Sequence, residues 1–290
     1  CGAFSRAGAA VAPCSVDDKA GAGKTAVPVS PSALQEPLKL EEVSECDGFA
    51  PCGFTEAERS AAWARSGFGA ATPGHERPVA LWIIGPSAVG KSTIAAEIAP
   101  SFGIAALPRE EARPSPALDA VVLDGVFFRQ VHGTYQRWVK SPSWSSAYPA
   151  MKATINEEKA KLLSAAASQR KHLILPQTCL NLDKCLAMVA EIEGRGYVNH
   201  VVAVLAPKDQ VSRRGRLRER EEGKRYAPWE FDRSVAAICP IVRACNGRYE
   251  VLRVVEPPGL PPDAPRCLTR EVVARGAAGP EAALPQELLG

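Results

Sequence analysis

Apolar runs and helical patterns alternate through the middle of the chain. Short apolar runs predict strands at 79–84, 118–124, 172–176, 198–206 and 249–255. Apolar residues at helical spacing predict helices at 91–99, 147–170, 181–196, 209–223 and 228–245. Strands that alternate with helices are typical of βαβ units. We therefore expect an α/β fold, a three-layer sandwich with a mostly parallel sheet.

The N-terminal part of the chain lacks this alternation. Residues 1–75 are rich in Ala, Pro, Gly and Ser, and we expect a mostly disordered arm there. One short helix is predicted within it, at 55–68. Thr55 would be its N-cap, and Glu58, three residues on, would complete a capping box.

The C-terminal part is also irregular. Residues 257–290 begin with "PPGLPPDAP" and stay rich in Pro and Ala, so we expect a tail with a short helix at 269–275. The predicted domain therefore covers 76–256.

The junction between the first strand and its helix carries a phosphate-binding pattern. Residues 85–92 are "GPSAVGKS", which fits G-x-x-x-x-G-K-[ST] between a strand and a helix. The glycines let successive N–H groups point at an anion, Lys91 reaches the β and γ phosphates, and the Ser92 hydroxyl is a magnesium ligand. The sequence therefore predicts a P-loop NTPase or kinase-like domain with ATP and Mg²⁺ as cofactors. The expected nucleotide-binding residues are Gly85, Pro86, Ser87, Ala88, Val89, Gly90, Lys91, Ser92 and Thr93.

Charge and cysteine content narrow the class of protein. The net charge of +3 is too small to argue for nucleic acid or membrane as a partner. No apolar run reaches the roughly 18 residues of a membrane span. The nine cysteines show no zinc-finger spacing, so we expect reduced thiols in a cytoplasmic protein. The chain begins with Cys1, so a targeting segment could precede it.

A carboxylate follows the second predicted strand. Asp124 stands at the carboxyl end of that strand, where a strand beside a P-loop faces the ligand crevice. We expect it to act as a catalytic base or as a magnesium ligand. The alternative is a turn-forming Asp-Gly pair.

These motifs together resemble the zeta-toxin-like P-loop kinases over roughly 79–245. The residues that carry the resemblance are the P-loop, Asp124, Phe128, Arg129, His132, "VLAPK" at 204–208 and Arg225 to Pro228. In that family, ATP phosphorylates a sugar hydroxyl, typically on a UDP-N-acetyl-hexosamine. The resemblance implies a kinase that acts on a hydroxyl of a small molecule, for example UDP-N-acetylglucosamine.

The resemblance also implies roles for single residues. Arg218 and Arg225 fall where the family places arginines that touch the phosphates, so they join Lys91 and Asp124 as catalytic candidates. Arg129, His132 and Thr178 are the substrate-binding candidates, although His132 could instead cap a loop.

Two positions depart from the family pattern. The family's base position is Val126 here, and a family glutamate position is Pro176. Asp124 lies two residues before Val126 and would face the same side of an extended chain, so it could take over the role of base.

Other candidate features have two interpretations each. For most residues of the basic helix at 208–225 we expect a solvated face with i,i+4 pairs, and its interleaved glutamates argue against nucleic acid as a partner. The aromatic residues Tyr135, Trp138, Trp144 and Tyr148 could stack on an acceptor or pack a helix on the sheet. A nucleotide-binding module without transfer activity and a nucleic-acid end kinase are the alternatives to a small-molecule kinase. The sequence assigns no protein partner.

Overall fold

Six strands form one sheet in the computed structural model, which describes residues 49–69, 72–107, 118–255 and 269–284. The strands are β1 (Val79–Ile84), β2 (Val121–Val122), β3 (Leu173–Gln177), β4 (Val198–Leu205), β5 (Arg248–Val255) and β6 (Thr269–Ala277). All of these residues belong to one compact unit, Val43–Gly290. The predicted disorder over 1–48 lies outside the described residues, and the predicted domain limits stay predictions.

The order of the strands is β2-β3-β1-β4-β5-β6. The first five strands are parallel, and β6 is antiparallel to β5. All six residues of β1 are buried, because β3 and β4 pair with its two edges and helices cover its faces. The expected α/β fold with a mostly parallel sheet is confirmed.

Nine α-helices connect and cover the strands in the described parts of the chain. They are α1 (Glu56–Arg65), α2 (Lys91–Ile98), α3 (Gly125–Val131), α4 (Gly133–Val139), α5 (Trp144–Ser168), α6 (Leu182–Gly194), α7 (Lys208–Glu222), α8 (Glu230–Ala236) and α9 (Ile238–Ala244). A short 3₁₀ helix, Ala99–Phe102, follows α2.

The sheet separates two apolar cores. Alternate residues of β1 enter different cores, with Trp82 on one face and Leu81 and Ile83 on the other. The buried Trp82 indole donates a 2.9 Å hydrogen bond from Nε1 to Oδ1 of Asn199 on β4. This bond satisfies two polar groups that would otherwise be costly to bury.

The predicted helix at 55–68 is confirmed as α1, and it packs on α3. The Thr55 side chain accepts from the Glu58 amide at 3.2 Å, and the Glu58 carboxylate accepts from the Thr55 amide at 2.9 Å. Glu58 also accepts a 2.8 Å bond from the amide of Gly133, the first residue of α4. On the same helix, Arg59 donates two hydrogen bonds, at 2.7 and 3.1 Å, to the buried carboxylate of Glu158 on α5.

Three sequence predictions of secondary structure are wrong. Residues 269–275 belong to a strand, because β5 offers a free edge with which this segment pairs. The predicted helix at 228–245 is two helices, since Pro240 lacks an amide hydrogen and its ring crowds the carbonyl of Ala236. The strand at 118–124 is only two residues long, and the chain turns into α3 at Gly125.

No helix in the described part of the chain is long and apolar enough to span a membrane.

Candidate active site

The loop between β1 and α2 has the backbone of a phosphate cradle. Gly85 has a φ of 144°, and a Cβ on it would lie 2.3 Å from the carbonyl oxygen of Val204 on β4. Gly90 caps α2 in the left-handed region, with a φ of 103°. Ala88 also has a positive φ, of 63°. Both glycines therefore stand where a side chain would be strained or would clash.

The side chain of Lys91, the first residue of α2, reaches back to the start of this loop. Its Nζ donates two hydrogen bonds of 2.7 Å, to the carbonyl oxygens of Gly85 and Pro86. Burial lowers the pKa of Lys91 to about 7, while the nearby Asp124 carboxylate acts in the opposite direction. The residue is only partly exposed, and it lines the cavity beside the loop. An anionic phosphate in the cavity would raise this pKa and favour the charged ammonium.

Ser92 and Asp124 join the P-loop to the end of β2. The Ser92 hydroxyl donates a 2.8 Å hydrogen bond to Oδ2 of Asp124. The other carboxylate oxygen accepts from the Val126 amide at 3.0 Å and so caps α3. A hydroxyl and a carboxylate this close are oxygen donors of the kind that Mg²⁺ prefers. These two residues therefore fit a magnesium ion.

One open cavity of about 850 Å³ contains this site. Three carboxylates line it, together with eight lysine or arginine side chains, so its charge is strongly positive. The carboxylates are those of Asp124, Glu222 and Glu230, and the cations are Lys91, Arg129, Lys152, Lys159, Lys184, Arg214, Arg218 and Lys224. Such a field concentrates an anionic ligand.

Glu222, the last residue of α7, pairs with two arginines at one side of the cavity. It forms ion pairs with Arg129, at 3.4 Å, and with Arg218. Arg129 and Lys224 both lie over the ring of Tyr148, 5.6 and 5.3 Å from its centroid. Arg129, Arg218 and Thr178, all predicted from the sequence, therefore share the cavity with Lys91 and Asp124.

Other predicted residues lie elsewhere. His132 is buried outside the cavity lining, where its Nδ1 accepts a 3.2 Å bond from the Tyr135 amide and caps α4. Of the two roles considered for His132, the structure places it in the capping one. Arg225 is exposed and lines only a small niche beside the P-loop with Ser87 and Ala88. Gly85, Pro86 and Val89 are buried and do not line the cavity.

The two positions that depart from the family pattern both line the cavity. Val126 lies in the first turn of α3, and Pro176 lies on β3. The expectation that Asp124 faces the side of Val126 in an extended chain is wrong, because the helix begins between them. Asp124 reaches the cavity as a helix cap instead.

Sequence analysis missed three lysines of the cavity wall. Lys152 and Lys159 are seven residues apart on α5, and Lys184 is in the first turn of α6. The structure gives none of the three a side-chain hydrogen bond or ion pair among the described residues. The spacing of seven, two helical turns, was the available signal that Lys152 and Lys159 share a face.

A second cluster lies at the amino end of the sheet, away from the P-loop. His75, Asp119 and His172 offer ligand-type atoms within 4.8 Å of one another. However, Nδ1 of His172 accepts a 2.9 Å bond from the Val79 amide, and the two imidazole rings stack with centroids 3.6 Å apart. Metal-bound imidazoles donate from their second nitrogen and point their edges at the ion. The cluster therefore fits a packed hydrogen-bonded arrangement better than a metal centre.

The fold and the loop define a kinase-like P-loop protein of the α/β class. The family model described as Zeta toxin matches residues 67–257, well over half of the chain. The chain therefore belongs to the zeta toxin family, whose kinase-type, nucleotide-binding module it carries.

The matches among solved structures have low sequence identity. One comes from the molecular and structural characterization of the PezAT chromosomal toxin-antitoxin system of the human pathogen Streptococcus pneumoniae. It has a TM-score of 0.52 and 16% identity, over 77% of this chain and 82% of that chain. A crystal structure of AvrRxo1-ORF1:-ORF2 with ATP has a TM-score of 0.48 and 13% identity, over 80% of this chain and 67% of that chain. No curated protein matches the chain.

Proposed function

We propose that this protein is an ATP-dependent kinase that transfers the γ-phosphoryl group to a hydroxyl of a small anionic molecule, such as the nucleotide sugar UDP-N-acetylglucosamine. The observation that carries the proposal is the 2.8 Å contact between Ser92 of the P-loop and Asp124 at the end of β2. It brings a phosphate cradle and a carboxylate to one wall of a basic cavity.

The contacts of Asp124 favour one of its two expected roles. Both of its oxygens are engaged, one by Ser92 and one by the Val126 amide. A carboxylate held this way beside the P-loop serine is suited to hold Mg²⁺ rather than to remove a proton from the acceptor. Magnesium, when bound, would neutralise charge on the β and γ phosphates.

Fixed positive charges would supply the remaining stabilisation of the transferring phosphoryl group. Phosphoryl transfer depends mainly on positioning and on cations around the transferring group. Lys91 lies under the loop, and Arg218 faces the same cavity from α7. Arg225 lines the small niche beside Ser87, next to the P-loop.

The three unpaired lysines indicate the chemistry of the acceptor. Lys152, Lys159 and Lys184 lie on α5 and α6, away from the helix that carries Arg218. The stem of Lys159 reaches the start of α3, where its Cδ lies 3.8 Å from a Cβ built on Gly125. Lysines without carboxylate partners attract an anionic acceptor, and leucine, isoleucine and methionine side chains of the same wall can cover an uncharged part.

The test is ATP consumption by the purified protein with Mg²⁺, with and without UDP-N-acetylglucosamine. We expect acceptor-dependent turnover that Lys91→Ala abolishes. Turnover that Lys91→Ala leaves unchanged would contradict the proposal.

Lys159→Met tests the acceptor side separately. We expect the KM for the acceptor to rise about tenfold or more, with the KM for ATP unchanged, because the loss of one charge-assisted contact is worth about 1.5–3 kcal/mol. Lys161→Met is the matched control, since Lys161 is on the same helix but pairs with Glu157 and Glu158 outside the cavity. Equal effects of the two variants would refute the assignment.

A second candidate function is a nucleotide-binding module without transfer activity. Val126 and Pro176 favour it, because apolar side chains line the cavity where the family resemblance places a base and a glutamate. Tight ATP binding with no turnover, with any of a panel of phosphate-bearing acceptors, would support this function instead.

A further inference from the structure

One carboxylate in the cavity joins two arginines that come from different helices. Glu222 is the last residue of α7, and its side chain lines the cavity. Its Oε1 atom accepts a hydrogen bond from Arg218, four residues earlier on α7. Its Oε2 atom accepts a 3.4 Å hydrogen bond from Nη2 of Arg129 on α3. Each oxygen of the carboxylate therefore holds one guanidinium, and the proposed function gives this carboxylate no role.

The two arginines belong to different sides of the cavity. Arg218 shares a small niche with the P-loop. The Nη1 atom of Arg129 lies 3.4 Å from a Cβ built on Gly125, and the Cδ atom of Lys159 lies 3.8 Å from the same point. Arg129 is therefore on the side where we place the acceptor. Glu222 connects that side to the phosphate side.

The end of α7 is anchored from outside the cavity. The hydroxyl of Tyr135 on α4 donates a hydrogen bond to the backbone carbonyl of Glu222. Gly223 follows with a φ of 62°, and a Cβ on it would clash with the side chain of Val139 on α4. Tyr135 itself is buried and does not line the cavity. The contact with α4 therefore fixes the backbone that carries the Glu222 carboxylate.

The two guanidinium groups differ in how firmly other groups hold them. The side chain of Arg129 is 12% exposed, and its guanidinium lies over the ring of Tyr148. The side chain of Arg218 is 45% exposed. An exposed arginine has many rotamers, and a partner is needed to select one of them. The ion pair with Glu222 therefore matters most for the conformation of Arg218.

We propose that Glu222 is a positioning residue, which presets Arg218 for the phosphates of ATP and Arg129 for an anionic acceptor; the inference rests on the proposed function. Its negative charge also reduces the repulsion between the two cations. A guanidinium has five N–H donors, so each arginine can pair with Glu222 and still donate to a ligand. Cations that are preset in this way stabilise transferring charge without reorganising during the reaction.

Glu222→Gln separates positioning from a simple effect of charge. Loss of a negative charge beside the phosphates should by itself tighten ATP binding and spare or raise turnover. If Glu222 positions the arginines, kcat should instead fall about 10- to 100-fold, while the KM for ATP stays unchanged or falls. Glu221→Gln is the matched control, because Glu221 is exposed on α7 and does not line the cavity. An unchanged or raised kcat in folded Glu222→Gln protein would overturn the proposal.

Tyr135→Phe tests the anchor and leaves the charge and lining of the cavity as they are. The variant loses the hydroxyl that donates to the Glu222 carbonyl, so kcat should fall about two- to tenfold, the equivalent of one hydrogen bond. Tyr197→Phe is the matched control, since the buried Tyr197 hydroxyl donates a 2.8 Å bond to the carbonyl of Lys171, away from the cavity. It should lower the melting temperature and spare kcat. Equal losses of kcat in the two variants would contradict the proposal.

A double-mutant cycle on ATP binding needs no turnover. The affinity for ATP with Mg²⁺ is measured for the unmodified chain, Glu222→Gln, Arg218→Ala and the double variant. The loss of affinity that Arg218→Ala causes should be at least about threefold smaller in the Glu222→Gln background. Additive effects would overturn the link between the two residues. Coupled effects in a chain without turnover would sustain the link and remove only the kinase assignment, whereas a folded chain that binds no ATP would overturn both.

Discussion

Gly85→Ala tests the junction between β1 and the P-loop, on which the nucleotide site depends. The new Cβ would lie 2.3 Å from the carbonyl oxygen of Val204, where real Cβ contacts stay above 3.0 Å. That carbonyl belongs to β4, which is held between β1 and β5 and cannot easily retreat. The loop itself must move by about 0.7 Å, the difference between the two distances.

The size of the effect follows from two costs. A side chain at a φ of 144° is strained by about 1–3 kcal/mol. Forced overpacking adds a further 1–3 kcal/mol or so. The free energy of unfolding should therefore fall by about 2–6 kcal/mol, and the melting temperature by at least about 4 °C for a domain of this size.

Nucleotide binding should weaken as well, because the displaced amides no longer converge on one anion. Thermal unfolding and isothermal titration with ATP and Mg²⁺ measure the two effects. Gly194→Ala at the end of α6 is the control, since a Cβ there meets nothing within 4 Å. A Gly85→Ala protein with unchanged melting temperature and ATP affinity would refute the close approach of the loop to β4.

Two further predictions concern the metal and the pH dependence of stability. Asp124→Asn should weaken Mg²⁺-dependent ATP binding about 10- to 100-fold. It should spare the fold, because an amide oxygen can still cap α3. Titration of Mg²⁺ at fixed ATP is the measurement, and Asp183→Asn on α6 is the control. Burial lowers the pKa of both His172 and His200 to about 4, so the folded protein holds these two rings neutral while the unfolded chain protonates them below about 6.5. Their contribution to stability is complete above that pH and declines by up to about 1.4 kcal/mol per pH unit for each histidine as the pH falls towards 4. Urea unfolding between pH 7 and 4 should show a shallower slope for His172→Asn, and an unchanged slope would contradict the assignment.

The elements that local patterns specify were predictable from the sequence. The capping box at Thr55, the glycine loop before α2 and the Asn181 cap of α6 each depend on residues a few positions apart. The strand at 269–277 was not, because its alternation is weak and only the free edge of β5 selects it. Whether a segment pairs with the edge of another strand depends on the folded sheet and not on the segment's own pattern.

In the candidate site, too, some residues could be predicted from local sequence patterns and others could not. Lys91 and Ser92 follow from a contiguous motif, and Asp124 follows from its place after a strand. The cavity lysines depend on how α5 and α6 stand beside β3, which no local pattern encodes. His132 was ambiguous because a ring nitrogen of histidine can either cap a helix or contact a ligand, and only the position of the Tyr135 amide shows that it caps α4.

The first helix bears on where this chain can be shortened. The family match begins at residue 67, after α1 has ended. A protein trimmed to that boundary would lose the Glu58 carboxylate that holds the Gly133 amide at the start of α4. It would also leave the buried Glu158 carboxylate without the guanidinium of Arg59. Recombinant versions should therefore begin before Thr55, so that α4 and α5 keep the anchors that α1 supplies.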